Sequence, residues 1–469
     1  MKLPLGRIAQ LLSSNTAAIN RGALATGYSI DSRTVRPGEL FFAVKGEHLD
    51  GHDFVEQALD KGATAAVVRA DQAARYPGKN AKLIPVQDTL DSLQTLAREV
   101  RRMWGKKVVG VTGSVGKTTT KEAIAHLLGL RFKVLKSEGN LNNQFGLPLM
   151  LLRLEPEHDI AVIEMGMSHA GEIRALAAIA EPGIGVVTAV APVHLEFFKS
   201  LAEIAAAKRE LIEALPANGT AVLNADDAYV SHFGEGFRGK VMTFGLGASA
   251  KVRAEKIEEL GAGGSNFEIV VGGSRQSATL PLIGRHNVYN ALAAVAVAME
   301  NGITLTDAAG SLATLTPADK RGEIIKLAGA TVINDCYNSN PKALDAMVEA
   351  LAAMKAKRRI VIAGEMLELG PAAAELHRAC GAQMAQRKID VVIGVRGTAR
   401  EIVEGAKEAG VAAEFFATPE QAGDWLSREV KIGDAVLLKA SRGVRLERAL
   451  ERWQTQLQQK PGQAVAVRH

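Results

Sequence analysis

The chain has 469 residues, a length that favours two or three domains over a single hydrophobic core. Hydrophobic residues make up 47% and charged residues 23%, and a net charge of +5 from scattered Lys and Arg argues against nucleic acid as a partner. Two cysteines exclude a disulfide framework, and no apolar run approaches the ~18 residues of a membrane span.

The start of the chain is too polar for a signal peptide, and the low cysteine content suits a reducing compartment. We therefore expect a cytoplasmic protein without a membrane span. Residues 1–85 mix short apolar runs such as LFFAV and TAAVV with Gly-rich turns, which predicts a small α/β domain.

A second pattern covers residues 86–316. A predicted helix from Thr89 to Trp104 leads into the β-branched run KKVVGVTG, and buried-type strands follow at IAVIEMG, IGVVTAV and TAVLNADD. Amphipathic stretches separate these strands, as expected for a parallel sheet covered on both faces. The later stretch VRAEKIEEL…SNFEIVVGG…SATLPLIG alternates and predicts added antiparallel strands, and GRHNVYNALAAVAVAMENG predicts a closing helix.

Residues 317–469 repeat the alternation of strands and helices. The predicted strands are TVINDCY, RRIVIAGEM, IDVVIGV, AEFFAT and DAVLLKAS, and the linker falls at residues 312–319. The fold class is therefore α/β with three domains: a small N-terminal α/β domain, a central parallel-sheet domain of the P-loop type and a C-terminal Rossmann-like domain.

The strongest local motif is VVGVTGSVGKTTTKE at residues 108–122, where a strand, a Gly-rich turn, Lys-Thr and a helix follow in order. Backbone N–H groups of such a turn close around phosphate oxygens, Lys117 reaches the outer phosphates and Thr118 is placed to bind Mg²⁺. The match to GxxxxGK[ST] is incomplete, because its first glycine would fall at Val111. An ordinary Gly turn before a helix is the alternative.

Three further residues stand at places where ligands bind in α/β proteins. Glu164 ends the strand IAVIE and serves either as a magnesium ligand or as a helix-entry carboxylate. His194 follows the strand GVVTAV, where a lone histidine is more often structural than functional. Lys208 lies in the predicted helix SLAEIAAAKREL, and a solvated charge is its ordinary role.

An amide-rich loop and several element ends complete the polar candidates. Asn140, Asn142 and Asn143 form a loop that is either a turn or a contact to a polar substrate. Arg321 is a candidate for phosphate or a surface ion pair, and Asp335 for a ribose hydroxyl. The segments GEMLELG and KASRGVRLE carry no function that their residues alone support.

Taken together, these segments resemble the Mur ligases of bacterial peptidoglycan synthesis. The resemblance extends over essentially the whole chain, and many motifs in one order are more specific than any single motif. The motifs are SIDSRTVRPGELFFAVKGEHLDGHDF, VTGSVGKTTTKE, GNLNNQFGLPL, EMGMSHAGEI, HLE with AAAKREL, VLNADD, GRHNVYNAL, INDCYNSNP, GEMLELG and KASRGVRLE.

The resemblance implies a cytoplasmic, ATP-dependent carboxylate–amine ligase of cell wall biogenesis, and with it of cell shape and division. Its expected cofactors are ATP and Mg²⁺. The implied substrates are UDP-N-acetylmuramoyl-tripeptide and D-Ala-D-Ala, joined through an acyl phosphate, and a monomer is expected. Another amino-acid ligase of the family and an ATP-hydrolysing switch protein are the alternatives.

The resemblance also implies site residues. The implied catalytic residues are Lys117, Lys208, His194 and Arg321. The implied ATP contacts are Gly113, Ser114, Gly116, Lys117, Thr118, Thr119, Asn287, Arg321 and Asp335. The implied metal ligands are Thr118, Glu164, His194 and Lys208, the last as a carbamate. The implied substrate contacts are Ser32, Arg33, Asn140, Asn142 and Asn143.

Departures from the family pattern leave these residues intact. Val115 stands where an Asn is common, Lys199 stands near the place of a glycine, and GEMLELG replaces GDMLELG. Two relatives fit less well. A folate polyglutamate ligase would carry its phosphate loop near the N-terminus, and the ligase for the third peptide residue carries Asp-Asn-Pro-Arg, which is absent from the sequence.

Overall fold

The computed structural model describes residues 1–14, 16, 18–193, 195–459 and the backbone of 467–468. Three larger sheets follow one another along the chain, together with a two-stranded sheet near the N-terminus. This arrangement confirms the predicted α/β fold class. Among the described residues, no helix is long and apolar enough to cross a membrane.

The N-terminal unit holds a four-stranded parallel sheet in the order β3-β4-β5-β6, and β1 pairs with β2 in antiparallel fashion. The short runs ELFF and AAVVR are almost fully buried, as expected for strands covered on both faces. The elements are β1 Leu3–Pro4, α1 Leu5–Leu11, β2 Leu24–Ala25, β3 Gly27–Ser29, β4 Glu39–Phe42, α2 Val55–Asp60, β5 Ala65–Arg69 and β6 Leu83–Val86.

The central unit is built on a nine-stranded sheet in the order β15-β14-β13-β12-β11-β10-β7-β9-β8. Strands β7 to β13 pair in parallel, whereas β14 and β15 are antiparallel, as the alternating pattern predicted. The elements are α3 Thr89–Trp104, β7 Lys107–Thr112, α4 Lys117–Leu128, β8 Val134–Lys136, α5 Gly146–Leu151, β9 Ile160–Glu164, α6 Glu172–Ala180, β10 Ile184–Val187, α7 Leu201–Glu213, β11 Thr220–Asn224, β12 Lys240–Gly245, β13 Val252–Glu259, β14 Ser265–Val271, β15 Ser274–Leu280, α8 Arg285–Glu300 and α9 Leu305–Leu312.

The C-terminal unit is a seven-stranded sheet in the order β20-β19-β18-β21-β17-β16-β22. Its five predicted strands pair in parallel. The antiparallel strands β16 and β22, of which β22 is at the edge, were not predicted. The elements are β16 Glu323–Leu327, β17 Ala330–Asp335, α10 Pro341–Ala352, β18 Arg359–Gly364, α11 Ala373–Gln386, β19 Val391–Val395, α12 Ala399–Glu408, β20 Ala412–Phe416, α13 Pro419–Glu429, β21 Ala435–Lys439, α14 Glu447–Gln459 and β22 Val467–Arg468.

Helix α3 connects the first two sheets. The side chain of Asp88 caps its start by accepting a hydrogen bond from the backbone N–H of Asp91 at 2.8 Å, and Gly105 ends it with φ +70°. The buried side of α3 belongs to a continuous core that includes residues of the N-terminal unit and one face of the central sheet. The domain boundaries at residues 85 and 316 stay predictions.

Candidate active site

A cavity of about 1070 Å³ lies between the central and C-terminal units. The carboxyl ends of parallel strands from both sheets open into it, which is where open α/β sheets bind ligands. From the central sheet come Thr188, just after β10, and Glu164 at the end of β9, and from the C-terminal sheet come Asp335 and Lys439. The two units therefore share one site.

The predicted phosphate loop forms one wall of this cavity between β7 and α4. Gly113 has φ +148° and Gly116 has φ +83°, which side-chain-bearing residues rarely adopt. Space is also short, because a Cβ on Gly113 would lie 1.9 Å from the hydroxyl oxygen of Thr188. A Cβ on Gly116 would lie 2.5 Å from Oδ1 of Asn290. Both glycines are required by the local backbone and its neighbours.

Replacing Gly113 by alanine is expected to lower both stability and nucleotide affinity, because the new methyl group must displace Thr188. Affinity for ATP should fall roughly tenfold or more, since backbone N–H groups that would face the phosphates move. Thermal unfolding and calorimetric titration with ATP measure the two effects. Gly272→Ala is the matched control, because Gly272 also has a positive φ but nothing within 4 Å of the added Cβ. Equal effects of the two substitutions would contradict the steric explanation.

Polar contacts attach the loop to the chain that follows β10. The backbone N–H of Ser114 donates to the carbonyl of Ala189 at 2.8 Å, and the N–H of Ala191 donates to Oγ of Ser114 at 3.0 Å. The hydroxyl of Thr188 donates to the carbonyl of Val115 at 2.6 Å. These bonds hold the loop open with its remaining groups turned to the cavity, which Thr119 also lines.

Two cations meet at the loop. The ammonium of Lys117 donates to the carbonyl of Gly113 at 2.7 Å, and burial lowers the pKa of Lys117, with the positive charge of Arg321 acting in the same direction. Arg321 comes from the C-terminal unit, and its guanidinium lies 4.1 Å from the ring centroid of Tyr337. Its buried Nε has no hydrogen-bond partner within the described parts of the chain. Two neighbouring cations and an unpaired donor fit a polyphosphate.

Glu164 is a buried carboxylate beside the loop. One carboxylate oxygen accepts a hydrogen bond from the hydroxyl of Thr118 at 2.9 Å, and the other accepts one from the amide of Asn142 at 2.9 Å. A carboxylate and a hydroxyl next to a phosphate loop are the oxygen ligands that Mg²⁺ prefers. The described residues contain no group of three His, Cys, Asp or Glu side chains placed for a metal. The predicted ligand His194 lies outside the described residues.

Lys208 is not the solvated charge that a helical lysine usually is. It lies on α7 with only 1% of its surface exposed. Its ammonium has no hydrogen-bond or ion-pair partner among residues 1–14, 16, 18–193 and 195–459. Burial holds the pKa of Lys208 well below its usual value, and the charge of Lys117 lowers it further. A lowered pKa favours the neutral amine, which is the form that reacts with CO₂.

The three asparagines of the amide-rich loop all line the cavity but differ in their contacts. Asn142 binds Glu164, as described above. Oδ1 of Asn143 accepts hydrogen bonds from the backbone N–H groups of Phe145, at 3.2 Å, and Gly146, at 2.9 Å, and so supports the start of α5. The side chain of Asn143 therefore supports a turn, and Asn140 lines the cavity, while a contact of these asparagines with a substrate stays a prediction.

The far end of the cavity carries the residues expected near the nucleoside. Asn287 is buried, donates to the carbonyl of Ile283 at 2.8 Å and accepts from Asn290 at 2.8 Å. Asp335 forms a buried ion pair with Lys439. Burial lowers the pKa of the neighbouring His286 to about 4, so this imidazole is neutral at pH 7.

Lys439, Ser441 and Arg442 of KASRGVRLE also line the cavity, and no function was predicted for them. A signal was available, because Lys439 directly ends the buried run AVLL and so stands at the carboxyl end of a strand. Ser32 and Arg33 lie elsewhere, on the N-terminal unit. The hydroxyl of Ser32 donates to Gln57 at 2.7 Å, whereas Arg33 pairs with Asp31 and keeps 82% of its side chain exposed.

Comparison with known proteins shows the family of the chain. Three family profiles match in order: the Mur ligase family catalytic domain at residues 25–101, the Mur ligase middle domain at 111–298 and the Mur ligase glutamate ligase domain at 320–442. The chain belongs to the Mur ligase family.

Individual relatives extend the comparison. UDP-N-acetylmuramoyl-tripeptide--D-alanyl-D-alanine ligase of Bacillus subtilis is 34% identical over 446 residues, which cover 92% of this chain and 96% of the relative. A crystal structure of MurF from Acinetobacter baumannii has a TM-score of 0.86 at 29% identity and covers 96% of this chain and 98% of its own. MurF from Thermotoga maritima in complex with ADP has a TM-score of 0.82 at 31% identity, covering 92% and 98%.

Proposed function

We propose that this chain is an ATP-dependent, ADP-forming ligase that adds D-Ala-D-Ala to UDP-N-acetylmuramoyl-tripeptide in peptidoglycan precursor synthesis. The observation that carries the proposal is the meeting of Lys117 and Arg321, from two different domains, at a Gly-rich loop in one cavity. The similarity to relatives with this activity over nearly the full length of the chain supports the choice of substrates.

The reaction joins a carboxylate to an amine in two steps. A carboxylate oxygen of the tripeptide attacks the γ-phosphorus of ATP, the bond to the β-phosphate oxygen breaks and ADP leaves. The amine nitrogen then attacks the carbonyl carbon of the acyl phosphate, loses a proton and expels phosphate. Lys117 and Arg321 neutralise the charge that develops on the transferred phosphoryl group. The two domains hold the reacting atoms in place and exclude water that would hydrolyse the acyl phosphate.

Magnesium belongs to this proposal as the cofactor. Thr118, Glu164, His194 and a carbamate on Lys208 would hold it, and it would supply positive charge next to the phosphate oxygens. Glu164 and Thr118 already bind each other through a hydrogen bond beside the loop, so their oxygens are close enough to share one cation.

The remaining contacts are assigned by position. Backbone groups of Gly113, Ser114, Gly116 and Thr119 would bind phosphates, and Asn287 and Asp335 would face the nucleoside. Asn140, Asn142 and Asn143 would line the path of the peptide, and Ser32 and Arg33 would bind the UDP part on the N-terminal domain. Domains with boundaries at 85 and 316, a monomeric state and action in the cytoplasm complete the proposal.

The test is phosphate release from ATP by the purified protein with UDP-N-acetylmuramoyl-tripeptide, with and without D-Ala-D-Ala. We expect sustained phosphate release only with both substrates, and a pentapeptide product by mass spectrometry. Chelation of Mg²⁺ should abolish phosphate release and product formation. Release that ignores both substrates would support an ATP-hydrolysing switch protein. Release that needs the nucleotide sugar but a different amine would keep the family and change the substrate.

A further inference from the structure

The loop GEMLELG, residues 364–370, projects from the end of β18 into the cavity. It is held at several points. The backbone N–H of Met366 donates to Nε2 of His377 at 2.9 Å, and the N–H of Leu367 donates to Oγ of Ser441 at 3.0 Å. At its other end Gly370 packs against the central unit, where a Cβ would lie 3.0 Å from the carbonyl of Leu195. The loop therefore has a defined position between the two domains.

Glu368 occupies the tip of this loop in an unfavourable backbone conformation. Its φ of +64° lies in the left-handed region, which glycine adopts freely and a residue with a long side chain adopts at a cost. Such conformations persist where the surrounding structure imposes them, and they concentrate at functional sites. A glutamate at this position places a carboxylate on the cavity wall where a glycine would fit the backbone better.

The charge of Glu368 acts at the phosphate loop. Burial lowers the pKa of Lys117, and two carboxylates of the cavity wall, Glu164 and Glu368, act in the opposite direction. Glu164 belongs to the central domain and binds Thr118 and Asn142. Glu368 reaches the same place from the C-terminal domain. It brings a negative charge to the side of the phosphate loop from which that domain closes the cavity.

We propose that Glu368 binds the ammonium group of the incoming amine substrate and orients its nitrogen toward the acyl phosphate. The inference rests on the proposed function and extends it to the second substrate. At neutral pH the amine arrives as a cation, in a cavity where Lys117 and Arg321 repel it. A carboxylate on the cavity wall, close enough for its charge to act on Lys117, offsets that repulsion. The ammonium passes one proton to water, and the carboxylate then accepts a hydrogen bond from the neutral amine, so the nitrogen stays in place with its lone pair free for attack.

The test is the Glu368→Gln variant, which keeps the size of the side chain and removes its charge. We expect the KM for D-Ala-D-Ala to rise roughly 10- to 100-fold, the range for losing a hydrogen bond to a charged group. The KM for ATP and the yield of acyl phosphate, trapped by borohydride reduction without amine, should stay at wild-type values. D-Lactoyl-D-alanine, which has a hydroxyl in place of the ammonium, should inhibit variant and wild type equally.

Glu349→Gln is the matched control. Glu349 also lines the cavity from the C-terminal domain, but it pairs with Arg387 at 3.5 Å and does not act on Lys117. Its variant should keep the wild-type KM for the amine. An equal rise in both variants would mean that any lost negative charge has this effect, and would overturn the specific role of Glu368.

A purely structural role makes a different prediction. If Glu368 only held the domains together, Glu368→Gln would reduce acyl-phosphate formation and amide formation alike, and that result would overturn the inference. Glu368→Gly relieves the backbone strain, so it should unfold at no lower temperature than wild type while showing the same KM defect. Wild-type protein that makes no pentapeptide from D-Ala-D-Ala would overturn the proposed function itself, and this inference with it.

Discussion

Lys117→Met is expected to abolish amide formation while leaving the fold intact. The substitution keeps the length and apolar character of the side chain and removes the charge that is proposed to stabilise the transferred phosphoryl group. Loss of one preorganised charge-stabilising contact costs roughly 10²- to 10³-fold in kcat, and Lys117 also orders the loop, so turnover should fall by at least that factor. Phosphate release with both substrates measures the effect.

Stability should not fall in the Lys117→Met protein. Burial lowers the pKa of Lys117, so the folded state binds this proton more weakly than the unfolded state does. The charged lysine therefore opposes folding at neutral pH, and thermal unfolding of the variant should occur at or above the wild-type temperature. Lys407→Met is the control, since Lys407 is an exposed lysine on α12 paired with Glu404 at 3.3 Å. Retained ligation by Lys117→Met would refute the assignment of the loop.

Removal of CO₂ is expected to inactivate the enzyme, and bicarbonate to restore it, if Lys208 carries the carbamate proposed above. Lys208 is buried without a partner in the described residues, and its lowered pKa favours the neutral amine, the form that reacts with CO₂. Activity in CO₂-free buffer should fall roughly 10²-fold, the scale for losing a group that holds a charge-stabilising cation. Lys208→Ala should have the same low activity and no response to bicarbonate.

Chemical trapping tests the carbamate independently of activity. Methylation of the carbamate followed by peptide mass mapping should mark Lys208. Lys121 is an internal control, since it is equally buried but donates to the carbonyl of Ser137 and pairs with Glu122 at 2.8 Å. Label on both lysines, or on neither while activity still depends on bicarbonate, would contradict the role of Lys208.

The pH dependence of stability has a definite sign for unmodified Lys208. The folded-state pKa lies well below the value of 10.5 for an exposed lysine. The unfolded state therefore binds the proton more tightly, and the stability of the unmodified protein rises with pH between the lowered pKa and about 10.5, then levels off. The same protonation at lower pH removes the neutral amine, so carbamate formation weakens as pH falls.

Local sequence was sufficient for the phosphate loop and for most of the sheets. The Gly-rich turn is marked by its own glycines and the Lys-Thr that follows, and the buried runs of the parallel strands are continuous in sequence. Strand β16 was not predicted because EIIKL is short and lies beside a Gly-containing turn. A role for Glu368 was not predicted, because its positive φ and its approach to Lys117 depend on the tertiary structure.

The sequence by itself determined the class of fold, the phosphate loop and, through the order of its motifs, the family. These properties depend on residue type and on short-range spacing, which the chain carries directly. Only the tertiary structure decided which charges meet: Arg321 lies near Lys117, and Lys439 forms an ion pair with Asp335. It also decided that Lys208 is buried, although the local pattern is that of an ordinary helix. Burial and electrostatic coupling depend on residues far apart in the chain, so the pKa of a site residue is set only when the domains pack.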